Sequence, residues 1–145
     1  MTGEDVGDRS DYRHFYTLDT RWADNDIYGH INNVIYYSYI DSVVNRYLIE
    51  QGGLDINAGD IVGFVVSSGC DYLKPAAYPD TLTAGLRVDH LGNSSVRYGV
   101  GIFREGEDSP CARGFSVHVF VARPANRPVP LPDALRRALE TLLPG

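Results

Sequence analysis

The spacing of apolar residues changes period along this chain, and each change marks an element. Across 12–22 apolar and polar residues alternate and aromatics are frequent, which predicts a strand entering a sheet. From 31 to 51 the period lengthens. Ile31, Val34, Ile35, Tyr39, Ile40, Val43, Val44, Tyr47 and Leu48 recur at three- and four-residue steps, with Ser38, Asp41, Ser42 and Asn45 as a thin polar stripe between them. A helix with so narrow a wet side is expected to be mostly enclosed, and Gly52-Gly53, which tolerate positive φ, close it. Four strand-like runs follow. The first, 61–73, stops at Lys74-Pro75 because proline has no N–H to give. The second, 81–90, alternates Leu82, Ala84, Leu86 and Val88 with polar positions; the turn Gly92-Asn93 joins it to 95–104 as a hairpin. The last, 111–121, sets Phe115, Val117, Val119 and Val121 on one face. Pro124, Pro128, Pro130 and Pro132 then impose an extended arm before a short amphipathic helix over 133–143.

The order is strand, one long helix, then four strands in meander, which is an α+β arrangement. A single helix cannot cover both faces of a five-stranded sheet. The economical solution is an antiparallel sheet curled around that helix, its outer face left to pair with another subunit. The chain divides into a flexible N-terminal tail (1–11), one domain (12–123), and a proline-rich arm with its helix (124–145). A homodimer or homotetramer is expected.

Composition narrows the function classes. The 145 residues suit one domain, and a net charge of −6 offers no basic footprint for nucleic acid. No run reaches membrane-spanning length and the N-terminus has no export-type apolar core, so a cytoplasmic protein without membrane partners is expected. Cys70 and Cys111 lie in apolar runs without CxxC spacing, which favours reduced, buried thiols. His14, His90 and His118 are scattered without metal-ligand spacing, so no metal site is expected.

The chemistry gathers just before the long helix. Asp24, Asn25, Asp26, His30, Asn32 and Asn33 bring two carboxylates, an imidazole and side-chain amides to its opening. A helix start presents unpaired N–H groups and partial positive charge. An acid beside such donors can attack a carbonyl, or activate water, while the donors hold the resulting oxyanion. The plainer reading is a set of helix caps and turn residues. Alternation in an extended segment puts Asp24 and Asp26 on the same side, so spacing alone does not choose between them.

The run Asp24-Asn25-Asp26-Ile27-Tyr28-Gly29-His30-Ile31-Asn32-Asn33, followed by Tyr36 and Tyr37, resembles the signature of the hotdog-fold thioesterases, in particular the 4-hydroxybenzoyl-CoA-thioesterase-like branch. The resemblance implies a hotdog fold, an antiparallel sheet of about five strands wrapped around a long central helix. It also implies subunit pairing and hydrolysis of an acyl-CoA thioester to a carboxylic acid and coenzyme A at the subunit interface. Asp26 then matches the nucleophile or general base, and the backbone N–H of Asn33 the donor that polarises the thioester carbonyl. Tyr28, Gly29, His30 and Asn32 form the turn at the substrate, Gly29 permitting close approach and His30 and Asn32 holding the turn. Phe64 lies on the strand that lines the acyl pocket in relatives; alternation leaves Ser67 or Ser68 to face it, the plainer reading of both being ordinary hydrogen bonding.

Some relatives carry basic residues at the hairpin that meets the nucleotide. Here 91–95 reads Leu-Gly-Asn-Ser-Ser, leaving Ser94 and Ser95 to meet a phosphate and Lys74, Arg97 or Arg104 to supply charge from elsewhere. An acyl carrier protein thioester therefore stays open as an alternative substrate. No cofactor is implied, because coenzyme A belongs to the substrate. Two rivals share the fold: a hydratase or dehydratase in which Asp26 and His30 share proton transfer, and a non-catalytic acyl-thioester-binding protein.

Overall fold

A computed structural model describes residues 6–144. The alternating runs become β1 (His14–Asp19), β2 (Ile61–Tyr72), β3 (Thr81–Leu91), β4 (Ser95–Arg104) and β5 (Ala112–Ala122). The helical periods become α1 (Asn33–Glu50) and α2 (Asp133–Glu140), and a two-residue β6 (Arg127–Pro128) adds to β5. The main sheet runs β1-β3-β4-β5-β2 with every neighbour antiparallel. The expected four-strand meander therefore holds only for β3-β4-β5, since β2 pairs with β5. The reason lies in 73–80, which crosses the start of α1 instead of turning tightly. There Ala76 O accepts the Ile31 N–H at 2.8 Å and Asn25 Oδ1 accepts the Tyr78 N–H at 2.9 Å. The chain is thus delivered to the far side of the sheet, beside β1.

The sheet curls around α1. Register places Gly114, Ser116, His118 and Phe120 of β5 on the face towards the helix, with Val96, Tyr98 and Val100 of β4 beside them. Approach is close at Gly114, where a Cβ would sit 2.5 Å from Ile40 Cδ1. Phe115, Val117 and Val119 do share a face, but it is the outer one, and they are half-buried there. At the other end of α1, α2 buries Leu135 and Leu139, and Tyr47 Oη donates to Ala138 O at 2.8 Å.

Enclosure of α1 is one-sided. Tyr36, Tyr39, Ile40, Val43, Val44, Tyr47 and Leu48 are buried, yet Val34 is 72% exposed and Tyr37 is also open. That opening adjoins β2, a twelve-residue edge strand whose Phe64, Val65 and Val66 are exposed. Within the stretch expected as a tail, residues 1–5 lie outside the described residues, and Arg9–Asp11 form a 3-10 turn. Arg9 stacks over Phe103 at 4.8 Å and donates to Glu107 O, closing the outer face there.

One buried carboxylate joins the loop before α1 to the helix. The expected strand over 12–22 ends at Asp19, and Trp22–Asp24 is a 3-10 turn that carries Asp24 inward to 0% exposure. Burial opposes its charge, but hydrogen bonds from Tyr39 Oη (2.7 Å), the Arg21 N–H (2.9 Å) and the Arg21 guanidinium (2.9 Å) outweigh it and lower its pKa. Asp24→Ala should cost about 1–3 kcal/mol of unfolding free energy because it leaves the Tyr39 hydroxyl dehydrated and unpaired, and Tyr39→Phe about 1.5–3 kcal/mol because it takes a donor from a buried carboxylate. Chemical denaturation at fixed protein concentration checks both.

His118 is 1% exposed, and its Nδ1 has no hydrogen-bond partner among the described residues. Burial pushes its pKa down to about 4, against the opposing charge of Asp41. A base with a depressed folded-state pKa favours the fold while neutral. Its contribution is complete above the unfolded value of 6.5 and is lost as pH falls towards about 4. Melting temperature measured over that range should fall more steeply for the native chain than for His118→Leu.

Candidate active site

The segment before α1 folds back on itself as a small ladder. Asp24 O accepts the Asn32 N–H (2.9 Å), Asn25 and Ile31 form a bridge, and His30 O accepts the Asp26 N–H (3.0 Å). A turn closes the tip, with the Gly29 N–H donating to Asp26 O at 3.0 Å. Gly29 has φ +80° and open space around its Cβ position, so the left-handed backbone is what requires glycine there. The ladder stands on the opening of α1, which Asn32 caps by accepting the Val34 N–H at 2.9 Å. Among the described residues no acceptor takes the Asn33 N–H, which is left as a donor at the helix start.

The two acids are separated by this geometry. The 3-10 turn breaks the alternation that would have aligned them: Asp24 goes into the core, and Asp26 stays half-buried near the ladder tip. Asp26 Oδ1 accepts the Tyr28 N–H at 2.9 Å. Asp26 borders a wide-open cavity of about 550 Å³ shared with Trp22, Asn25, Ile27 and Gly29. Ile27 and Tyr28 project from the tip at 95% and 81% exposure. His30 meets Asp26 through its backbone carbonyl, and its side chain is exposed.

A second cavity, about 480 Å³, runs from Val34 along α1 between the helix and β2–β5. Ser68 lines it with Val65, Tyr37, Asp41 and Ser116. Phe64 does not line it within one subunit. It pairs with Val119 on the outer face, and the bulge between Val65 and Ser67 shifts the alternation so that Val65 and Ser68 both face the helix. Lys74 is engaged elsewhere, 2.7 Å from Glu107 and 2.9 Å from Ser109 Oγ; Arg104 and Lys74 together draw the Glu107 carboxyl down to about 2. Ser94 and Ser95 hold the β3–β4 turn through their carbonyls, which accept the Phe120 and Gly92 N–H groups at 2.8 Å. Arg136 of α2 donates to the Gly92 and Asn93 carbonyls of that turn at 2.7 and 3.1 Å, so a cation does sit at the hairpin although 91–95 contains none.

Burial pushes the Cys70 thiol up to about 11 and raises Cys111 as well, opposite to what a nucleophilic thiol needs. No group of three or more metal-ligating side chains gathers among the described residues. No helix there is long and apolar enough to cross a membrane. Sequence reasoning passed over Tyr72, whose hydroxyl donates to Asn33 O at 3.0 Å. Its signal was available, because even spacing from Ser68 through Cys70 puts Tyr72 on the helix-facing side of β2.

This geometry coincides with known proteins. A sequence profile of the thioesterase superfamily matches residues 28–111, more than half of the 145-residue chain. The PA5185 protein of Pseudomonas aeruginosa PAO1 is 55% identical in its solved structure, covering 94% of this chain and 96% of that one with a TM-score of 0.93. A thioesterase from Thermus thermophilus, solved with coenzyme A and Zn, is 31% identical over 90% of this chain and 94% of its own, TM-score 0.73. A 1,4-dihydroxy-2-naphthoyl-CoA thioesterase from Synechocystis shares the fold at 22% identity, covering 86% of this chain and 93% of that one with a TM-score of 0.78. The chain belongs to the thioesterase superfamily and is a hotdog-fold thioester hydrolase.

Proposed function

We propose that this protein hydrolyses an acyl-CoA thioester to a free carboxylic acid and coenzyme A, with Asp26 as the reacting acid and the Asn33 N–H as the oxyanion donor. The observation that carries the reading is a half-buried carboxylate bordering a cavity, on the ladder that leads directly into a helix N–H with no acceptor among the described residues. The carboxylate either attacks the thioester carbon or takes a proton from water that does so. Charge then develops on the carbonyl oxygen, where a fixed donor lowers the barrier. The thiolate leaves without a strong general acid, since thiol pKa values lie near 8.5.

The coenzyme A bound by the Thermus thermophilus relative supports CoA over an acyl carrier protein as the carrier. The cavity beginning at Val34 lies next to Asn33 and suits the acyl group. A hydratase reading gains nothing from the structure, because His30 reaches Asp26 through its backbone alone.

Asp26→Asn should lower turnover by about 10²–10⁴-fold while leaving the melting temperature near that of the native chain. A thiol-release assay over short, long, branched and aromatic acyl-CoAs checks this; undiminished release would remove Asp26 from the mechanism.

The reading includes a homodimer that pairs along the free edge of β2. Val65 and Val66 on that edge, together with Val34 on α1, expose apolar surface next to unpaired strand backbone. The combined variant Val65→Glu, Val66→Glu should shift the protein to monomer in light scattering coupled to size exclusion. A variant of unchanged mass would exclude this edge as the interface.

A further inference from the structure

The opening turn of α1 is tied on two sides, and one tie crosses from the sheet. Upstream, the Asn32 N–H donates to Asp24 O at 2.9 Å within the ladder itself. Downstream, Tyr72 Oη of β2 donates to Asn33 O at 3.0 Å across 39 positions of sequence. The Asn33 N–H lies between these two anchored groups, so both ends of the backbone that carries it are held. Tyr72 is itself held, its ring edge-on to Tyr36 at 5.5 Å and 61°. Burial pushes its hydroxyl up to about 12, so it keeps its proton and remains a donor at neutral pH.

We propose that Tyr72 is a positioning residue for the oxyanion donor, fixing the first turn of α1 so that the Asn33 N–H holds its aim as the carbonyl oxygen becomes charged. The role rests on the site described under Proposed function. Helix packing alone does not require it. The deeper turns of α1 are seated by Tyr39, Ile40, Val43, Val44 and Leu48 whether or not the Tyr72 hydroxyl is present. The hydroxyl adds a lateral constraint on the Asn33–Val34 peptide, the one directly after the peptide that carries the Asn33 N–H, and small misplacements of catalytic groups are amplified in rate.

Tyr72→Phe keeps the ring contact and removes only the donor. A donor that acts as charge develops is worth most in the transition state, so its loosening shows in kcat and leaves KM nearly alone. Complete loss of an oxyanion donor costs about 10²–10³-fold, and a loosened one should cost about 5–30-fold. The experiment measures acyl-CoA turnover and melting temperature for the native chain, Tyr72→Phe, Asp26→Asn and Tyr98→Phe. Tyr98→Phe is the control: its ring sits in the core and its hydroxyl has no partner among the described residues. The proposal predicts a 5–30-fold loss of kcat in Tyr72→Phe, KM within twofold, native-like melting, an unmoved pH profile, and native kcat in Tyr98→Phe. Native kcat in Tyr72→Phe, a change confined to KM, or loss of the fold would overturn it while the Asp26 reading stood. Full turnover by Asp26→Asn would instead overturn the reading of the site, and this proposal with it.

Discussion

The carboxylate of Asp24 is the constraint on which the site depends. It is buried without residual exposure and accepts from Tyr39 Oη, the Arg21 backbone and the Arg21 guanidinium, while its own carbonyl takes the Asn32 N–H. A dehydrated carboxylate is tolerable only when its oxygens are satisfied, so these donors have one permitted arrangement. That arrangement fixes the ladder over the start of α1. Because Tyr39 lies on the buried side of α1, its bond to Asp24 ties the loop to the helix. Asp26, two residues on, is thereby positioned without being buried itself.

Two acids of one type, two residues apart, thus have opposite environments. The difference is local backbone geometry: the 3-10 turn ends at Asp24, and the ladder begins at Asn25. A core acid with every oxygen engaged has no free lone pair to offer a substrate. An acid near a turn tip, with one oxygen taking the Tyr28 N–H and a cavity beside it, retains that capacity. On the proposed reading, support falls to Asp24 and chemistry to Asp26, and the order along the chain decides which is which.

Much of this was legible in the sequence, and what was not has physical causes. Period-two and period-3.6 patterns placed the elements within a few residues, because burial on one face is a local signal. Strand partnership was not local: β2 joins β5 because 73–80 packs across the helix start, which no alternation records. The core face of β5 was masked, since Val117 and Val119 point outward while Ser116 and His118 point to the helix. At β2 a single bulge reversed the expected side of Phe64 relative to Ser68. At the helix opening, the motif brought Asp24 and Asp26 into one segment, but their separation needed the 3-10 turn. The guanidinium that Arg136 brings to the β3–β4 turn comes from 43 and 44 positions away, beyond any local pattern.

The exposed apolar surface also bears on the chemistry. Val34 begins the first turn of α1, Val65 and Val66 occupy the unpaired edge of β2, and Ile27 and Tyr28 project from the ladder tip. Leaving these in water is unfavourable at roughly 25 cal/mol per Å² of apolar area, yet all lie within or beside the elements that carry Asp26, Asn33 and Tyr72. Covering them would exclude water from the same region, and exclusion strengthens a fixed N–H donor acting on developing charge. On the proposed chemistry, the face that most favours burial is therefore also the face where a low dielectric would most assist thioester cleavage.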